Sequence, residues 1–237
     1  FFFFKQKTAY EISTRDWSSD VCSSDLNMMI GDPTFGKPMR CYSIANAPRP
    51  DGTLVFQVTR ADGGVTSNWL HDEVKVGDHI KMNGPYGTFI GDPSVDTPVL
   101  CLAAGSGLAP ILSLTEAALR RNYRPPVTLL FSAQTEADVY AKGEAAWWKA
   151  KHRRFRFLTT LTREEKEGHL HGRIPTVLPG LFPDLSSHTI FIAGTPEFVD
   201  DCLAAVLALG AKRELIHTEG YHAQHKPEVA AKERLMA

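Results

Sequence analysis

Apolar runs and helical stretches alternate along the second half of the chain. Pro98-Val99-Leu100-Cys101-Leu102-Ala103-Ala104 is apolar throughout, the pattern of a strand covered on both faces. Residues 127–133 form a second such run, and residues 155–161, 189–193 and 214–216 are three further predicted strands. Helices are predicted between them at about 109–121, 136–151, 172–178 and 196–209. This alternation predicts a parallel, doubly wound α/β sheet.

Residues 27–92 have a different texture. Residues 54–60 (Leu-Val-Phe-Gln-Val-Thr-Arg) form a β-branched and aromatic strand, announced by the turn Asp51-Gly52. Residues 79–84 form another, entered through Gly77-Asp78. Pro and Gly punctuate the stretch, as expected of a small antiparallel β-barrel. There is no internal repeat or low-complexity linker, and residues 223–237 read as a solvated tail.

Residues 1–26 fit neither pattern. Residues 4–12 and 16–26 back-translate to strings that resemble a sequencing-library adapter, and Ser13-Thr14-Arg15 would cover its variable index. The Phe run before them reads as a poly-T tail. We therefore expect this segment to be a translated artefact without structure, and set it outside the reasoning on fold.

Charge adds exclusions. The 237 residues carry 26 Lys+Arg against 27 Asp+Glu, and residues 27–237 carry 23 of each. A neutral chain argues against nucleic-acid binding by phosphate neutralisation. No apolar run approaches the roughly 18 residues of a membrane-spanning helix, so no membrane partner is expected. Cys22, Cys41, Cys101 and Cys202 are scattered, without zinc or iron–sulfur spacing. Few cysteines and no signal peptide point to the cytoplasm.

Four constellations carry candidate chemistry. Arg40-Cys41-Tyr42-Ser43 offers a guanidinium fork, a ring and a hydroxyl; alone it also suits an ordinary strand with an exposed Arg. Gly63-Gly64-Val65-Thr66-Ser67-Asn68-Trp69-Leu70 is a Gly-rich turn opening a helix, either an anion site or a capped surface helix. Gly105-Ser106-Gly107-Leu108-Ala109-Pro110 follows a buried strand, the context of a dinucleotide loop. Pro110 replaces the last Gly of the full fingerprint, so a purely structural turn stays open. Gly194-Thr195-Pro196-Glu197-Phe198-Val199 follows another strand, and ligands of such sheets bind at the strands' carboxyl ends.

In this order, with Gly84-Pro85-Tyr86-Gly87 between and Glu219-Gly220-Tyr221 at the end, the series resembles the ferredoxin reductase-type flavoproteins. It looks most similar to NADH-dependent reductase components of bacterial oxygenases and to deoxy-glucoseen reductases, over about residues 31–222. The resemblance implies an N-terminally truncated FAD-binding barrel at 27–94, an NAD(P)-binding domain at 95–222 and a tail at 223–237. It implies that Arg40, Gly64, Val65 and Ser67 hold the FAD pyrophosphate, with Tyr42 on the flavin and Ser43 near its N5. Gly105, Ser106 and Gly107 would form the pyridine-nucleotide loop; Gly194, Thr195 and Pro196 would line the nicotinamide side. Glu219 and Tyr221 match the segment that flanks the flavin, and with Ser43 they form the expected catalytic set.

The implied reaction passes electrons from NADH through FAD to a one-electron acceptor, an iron–sulfur protein or oxygenase component. Any [2Fe–2S] cluster would belong to a missing upstream domain or a partner. The alternatives are the reductase module of a flavohaemoglobin, a flavin-binding electron-transfer subunit without turnover, or an inactive fragment. Only 13 residues, Asn27–Met39, precede Arg40 after the adapter-like segment, so the barrel is expected to be incomplete, with an unpaired edge. Ala193 stands where many relatives have Cys. Gln134 and Glu136 after the second strand favour NADH over NADPH, since a 2′-phosphate wants a cation there. His169, His171, His217, His222 and His225 lack metal-ligand spacing and read as loop residues. One ring of Trp147-Trp148 is expected in the core, and Lys151-His152-Arg153-Arg154 is read as a solvated helix end.

Overall fold

The computed structural model describes residues 2–4 (backbone only), 27–87 and 96–221. The adapter-like residues 5–26, the domain junction at 94/95, His222, His225 and the tail lie outside the described residues.

Six parallel strands form the larger sheet: β6 (Val99–Ala104), β7 (Val127–Ala133), β8 (Phe155–Leu161), β9 (Leu170–His171), β10 (Thr189–Gly194) and β11 (Ile216–Gly220), in the order β11-β10-β6-β7-β8-β9. Side-chain parity divides its core in two. Cys101, Ala103, Leu129, Phe131, Phe191 and Ala193 meet the helices α2 (Leu108–Arg120) and α3 (Lys142–Lys151) on one face. Leu100, Leu102, Leu130, Ile190 and Ile192 meet α4 (Ile174–Leu181) and α5 (Pro196–Ala208) on the other. Apolar residues at successive positions are thus explained by burial on both faces. The chain order reverses between β6 and β10, which makes their carboxyl ends the switch point.

The helix predicted at 136–151 is broken. Thr135 and Asp138 close a capping box around a short 3₁₀ turn, and α3 begins only at Lys142. Between them Val139 and Ala141 are buried in the sheet core, with Ala141 left-handed at φ 58°. Burial overrides helix propensity here. The strand predicted at 214–216 also moves: Arg213–Leu215 is a 3₁₀ turn, and the half-exposed Ile216–Gly220 pairs with β10. Trp148 is buried and Trp147 is 58% exposed, as the sequence leads one to expect.

The N-terminal unit holds an antiparallel sheet of order β3-β2-β5, from β2 (Asn27–Asp32), β3 (Lys37–Ser43) and β5 (Met82–Tyr86). Its core is Met28, Ile30, Ile44, Phe56 and Leu70, the last on α1 (Val65–Asp72). The strand predicted at 54–60 shortens to β4 (Leu54–Phe56), and the one at 79–84 shifts to Met82–Tyr86. β4 pairs antiparallel with β1 (Phe2–Phe4), backbone to backbone. Sequence reasoning placed no element at β1; an open strand edge pairs with any extended segment whatever its side chains.

The two units meet along α2. Ser113 Oγ donates to Asn46 O at 2.8 Å, Ala47 N donates to Glu116 Oε2 at 2.8 Å, and Arg120 donates to Pro48 O at 2.9 Å. Ala109 packs with Ala45 and Val55. The N-terminus of α2 belongs to the Gly105–Gly107 loop, so one helix ties that loop to the end of β3.

Candidate active site

The loops that follow β6 and β10 touch. A Cβ on Gly107 would lie 2.2 Å from Ala193 O and 2.7 Å from Gly194 N, an approach that only glycine permits. Gly105 takes φ +54° with open space around it, and its carbonyl accepts from Tyr140 Oη at 2.5 Å. Ser106 is half-buried between the two glycines. On the facing loop, Thr195 caps α5, its Oγ1 accepting from Phe198 N at 3.3 Å, and Pro196 opens the helix. The Gly194 Cα packs on Phe198, whose Cδ1 would be 2.6 Å from an added Cβ. Gly105, Ser106, Gly107, Gly194, Thr195 and Pro196 therefore form one surface at the switch point.

Three residues converge beside it. Ser43 closes β3; Glu219 lies on β11, and Tyr221 just follows it. Ser43 Oγ donates to Glu219 Oε1 at 3.3 Å and lies 2.8 Å from Tyr221 Oη. A hydroxyl has one proton, so the Tyr221 hydroxyl donates to Ser43 when Ser43 donates to Glu219. Tyr221 N is fixed on Gly194 O at 2.9 Å, which anchors the trio to the β10 loop. Burial, reinforced by the Glu219 charge, pushes the Tyr221 hydroxyl far above the usual range and keeps it protonated. Cys41 is nearby: burial and then Glu219 raise its thiol.

The remaining predicted residues gather at β3 and α1. Thr66 Oγ1 donates to Pro38 O at 2.5 Å and holds the start of α1 against β3. The Arg40 guanidinium donates to Met39 O at 3.0 Å and pairs with no carboxylate among the described residues. Gly64 caps α1 without a side-chain bond, leaving the amides of the first turn, Val65 among them, for an anion. A Cβ on Gly64 would lie 2.5 Å from Ser67 Oγ and 2.8 Å from the Ala61 Cβ, so the turn closes on itself and leaves no room for a side chain there. Ser67 Oγ accepts from Ala61 N at 3.2 Å and donates to Gly64 O at 3.3 Å, so it shapes the turn. Tyr42 packs on the barrel core with Met28 and Ile30. A guanidinium fork on β3 and the uncapped first turn of α1, which Thr66 holds against β3, suit a diphosphate, and the site thus fits FAD.

Sequence reasoning missed several contacts. Tyr140 reaches Gly105 from the stretch that interrupts the predicted helix, next to the left-handed Ala141, and no spacing signals it. Glu136 is not a free charge. Lys166 bonds its carboxylate directly, and Lys142 and His169 stand at 3.6 and 3.8 Å. The Lys166 bond holds the Glu136 carboxyl below its ordinary range. Among the described residues no group of three or more His, Cys, Asp or Glu could hold a metal, and no helix is long and apolar enough to cross a membrane.

Residues 26–90 match the family described as oxidoreductase FAD-binding domain, and residues 101–203 that described as oxidoreductase NAD-binding domain. Ferredoxin–NADP reductase B of Sorangium cellulosum is 32% identical over 197 residues, covering 78% of this chain and 79% of its own. The reductase component of the naphthalene 1,2-dioxygenase/salicylate 5-hydroxylase systems of a Ralstonia species is 28% identical over 185 residues, covering 78% of this chain and 56% of its own. Among solved structures, a cytochrome P450 reductase of Amycolatopsis superposes with a TM-score of 0.79 at 27% identity, over 84% of this chain and 61% of that one. A ferredoxin reductase of carbazole 1,9a-dioxygenase gives 0.73 at 26% identity, over 84% and 60%. The chain thus spans a little over half the length of several relatives. With an FAD-type barrel sheet, a doubly wound nucleotide domain and both sets of motifs in place, the chain belongs to the ferredoxin reductase-type family of FAD-dependent NAD(P)H oxidoreductases.

Proposed function

We propose that the protein takes hydride from NADH and delivers single electrons to an iron–sulfur protein or oxygenase component. The observation that carries this reading is the meeting of Ser43, from the FAD-type unit, with Glu219 and Tyr221 beside the Gly107–Gly194 contact. Bound FAD supplies the conversion of a two-electron donor into one-electron deliveries. The residues supply position. Arg40 and the first turn of α1, with Gly64 and Val65, would hold the diphosphate. The Ser43 hydroxyl would hydrogen-bond the reacting edge of the ring, and Tyr42 would pack alongside. Tyr221, kept neutral by burial, would cover the ring face that nicotinamide approaches. Gly105, Ser106 and Gly107 would take the coenzyme's phosphates, and Gly194, Thr195 and Pro196 would flank its nicotinamide.

NADH is preferred over NADPH in this reading because Gln134 is neutral and exposed, while Glu136 occupies the two nearby lysines. Relatives named as reductase components of oxygenase systems support this choice of acceptor. The test is rapid mixing of the FAD-loaded full chain with NADH, followed by a [2Fe–2S] ferredoxin. Bleaching of the flavin band by NADH and its recovery with the ferredoxin is the expected result. Failure of NADH to bleach a fully loaded flavin would overturn the reading.

A further inference from the structure

A cleft of about 350 Å³ opens at the amino ends of β7 and β8, remote from the site above. Its walls are the loop from α2 to β7 and the loop from α3 to β8. Leu119, Val127 and Phe155 are buried beneath it. Around its rim stand Arg124, Lys151, His152, Arg153 and Arg154, and no carboxylate is among the lining residues. Asp96 acts on the Tyr123 hydroxyl from outside the lining. Arg154 Nη1 donates to Arg124 O at 2.9 Å and Val127 N to Arg154 O at 3.1 Å, so the two loops are stitched into one frame. The Lys151–Arg154 run, which as sequence suggests only a solvated helix end, here lines one concavity with a fourth permanent cation, Arg124.

We infer that this cleft binds the polyphosphate group of a small anion such as a nucleoside triphosphate. Four permanently charged side chains and a histidine line one concave surface of ligand size, the chemistry that recognises clustered phosphate oxygens. The Tyr123 ring and the apolar floor give a base a surface to lie on. The site is not an extension of the coenzyme site. Val127 begins the seven-residue strand β7 whose far end lies level with the Gly105 loop, a separation of about 20 Å at the rise of a parallel strand.

The experiment is calorimetric titration of the FAD-loaded full chain, in saturating NAD⁺, with ATP and separately with inorganic tripolyphosphate. Both are expected to bind. The double substitution Lys151→Gln/Arg153→Gln, at exposed positions, should weaken binding about tenfold or more. Lys75→Gln, an exposed lysine of the other unit, should leave it unchanged. Equal affinity for the two probes assigns recognition to phosphate alone; tighter ATP adds the base on Tyr123; each supports the site. The inference fails if neither probe binds, if binding survives the double substitution, or if it vanishes whenever NAD⁺ fills the coenzyme site. Binding of polyglutamate with none of ATP would reassign the cleft to docking of an acidic protein and also overturn the proposal.

Discussion

Ser43 and Tyr221, 178 residues apart in sequence, place their hydroxyl oxygens 2.8 Å from each other. One closes a strand of the N-terminal unit and the other follows the last strand of the nucleotide domain. Their contact joins the two units, and in the function proposed above it lies where the two cofactors would meet. Ser43→Ala removes the donor on which this arrangement turns. We expect FAD to be retained and NADH-dependent flavin reduction to slow by about 10- to 100-fold, the worth of one well-placed hydrogen bond. Stopped-flow reduction at saturating NADH measures it; an unchanged rate would remove Ser43 from the chemistry.

Gly107→Ala drives a Cβ into the backbone carbonyl of Ala193, which cannot swing aside as a side chain would. A loss of about 2–4 kcal/mol is expected in urea unfolding, with weakened coenzyme affinity. Gly105→Ala meets open space and only the strain of a left-handed residue, about 1 kcal/mol. If the two substitutions cost the same, the loop contact is not what requires glycine at 107.

Glu136→Gln releases Lys142 and Lys166 from their shared carboxylate. Both would then be available to a 2′-phosphate. The ratio of kcat/KM for NADPH to that for NADH should rise about tenfold, chiefly through KM. A ratio that stays put would place the adenosine ribose away from this cluster.

Alkaline pH should unfold the protein early. Burial pushes the Cys101 and Cys202 thiols from 9.0 up to about 12, and burial raises Tyr140 and Tyr221 as well. Above pH 9 the unfolded chain ionises while the folded chain holds its protons, so the unfolded state binds fewer protons. Stability is therefore intact below pH 9 and falls as pH rises toward 12. Melting temperature against pH is the measurement. Cys101→Ala/Cys202→Ala should flatten the slope, and a slope identical to the parent would assign the loss to other groups.

The amino-acid sequence determined a good deal by itself. A short uninterrupted apolar run such as residues 98–104, bounded by Pro98 and the Gly105 turn, reads as a strand buried on both faces, because seven residues are too few for a buried helix. The glycines at 105, 107 and 194 and the Arg40–Ser43 segment were legible because their chemistry is local: a bare backbone, a forked cation, a hydroxyl. Tertiary structure decided the rest. It broke the helix predicted at 136–151, since burying Val139 and Ala141 outweighs helical propensity. It gave the second glycine of the loop a steric reason in Ala193, and it set Glu136 against Lys142 and Lys166, drawn from two separate segments. It also turned an unremarkable basic run into one wall of a cleft. None of these could be read along the chain, because contact energies depend on which segments the packed sheet brings within a few ångströms, and sequence separation does not encode that distance.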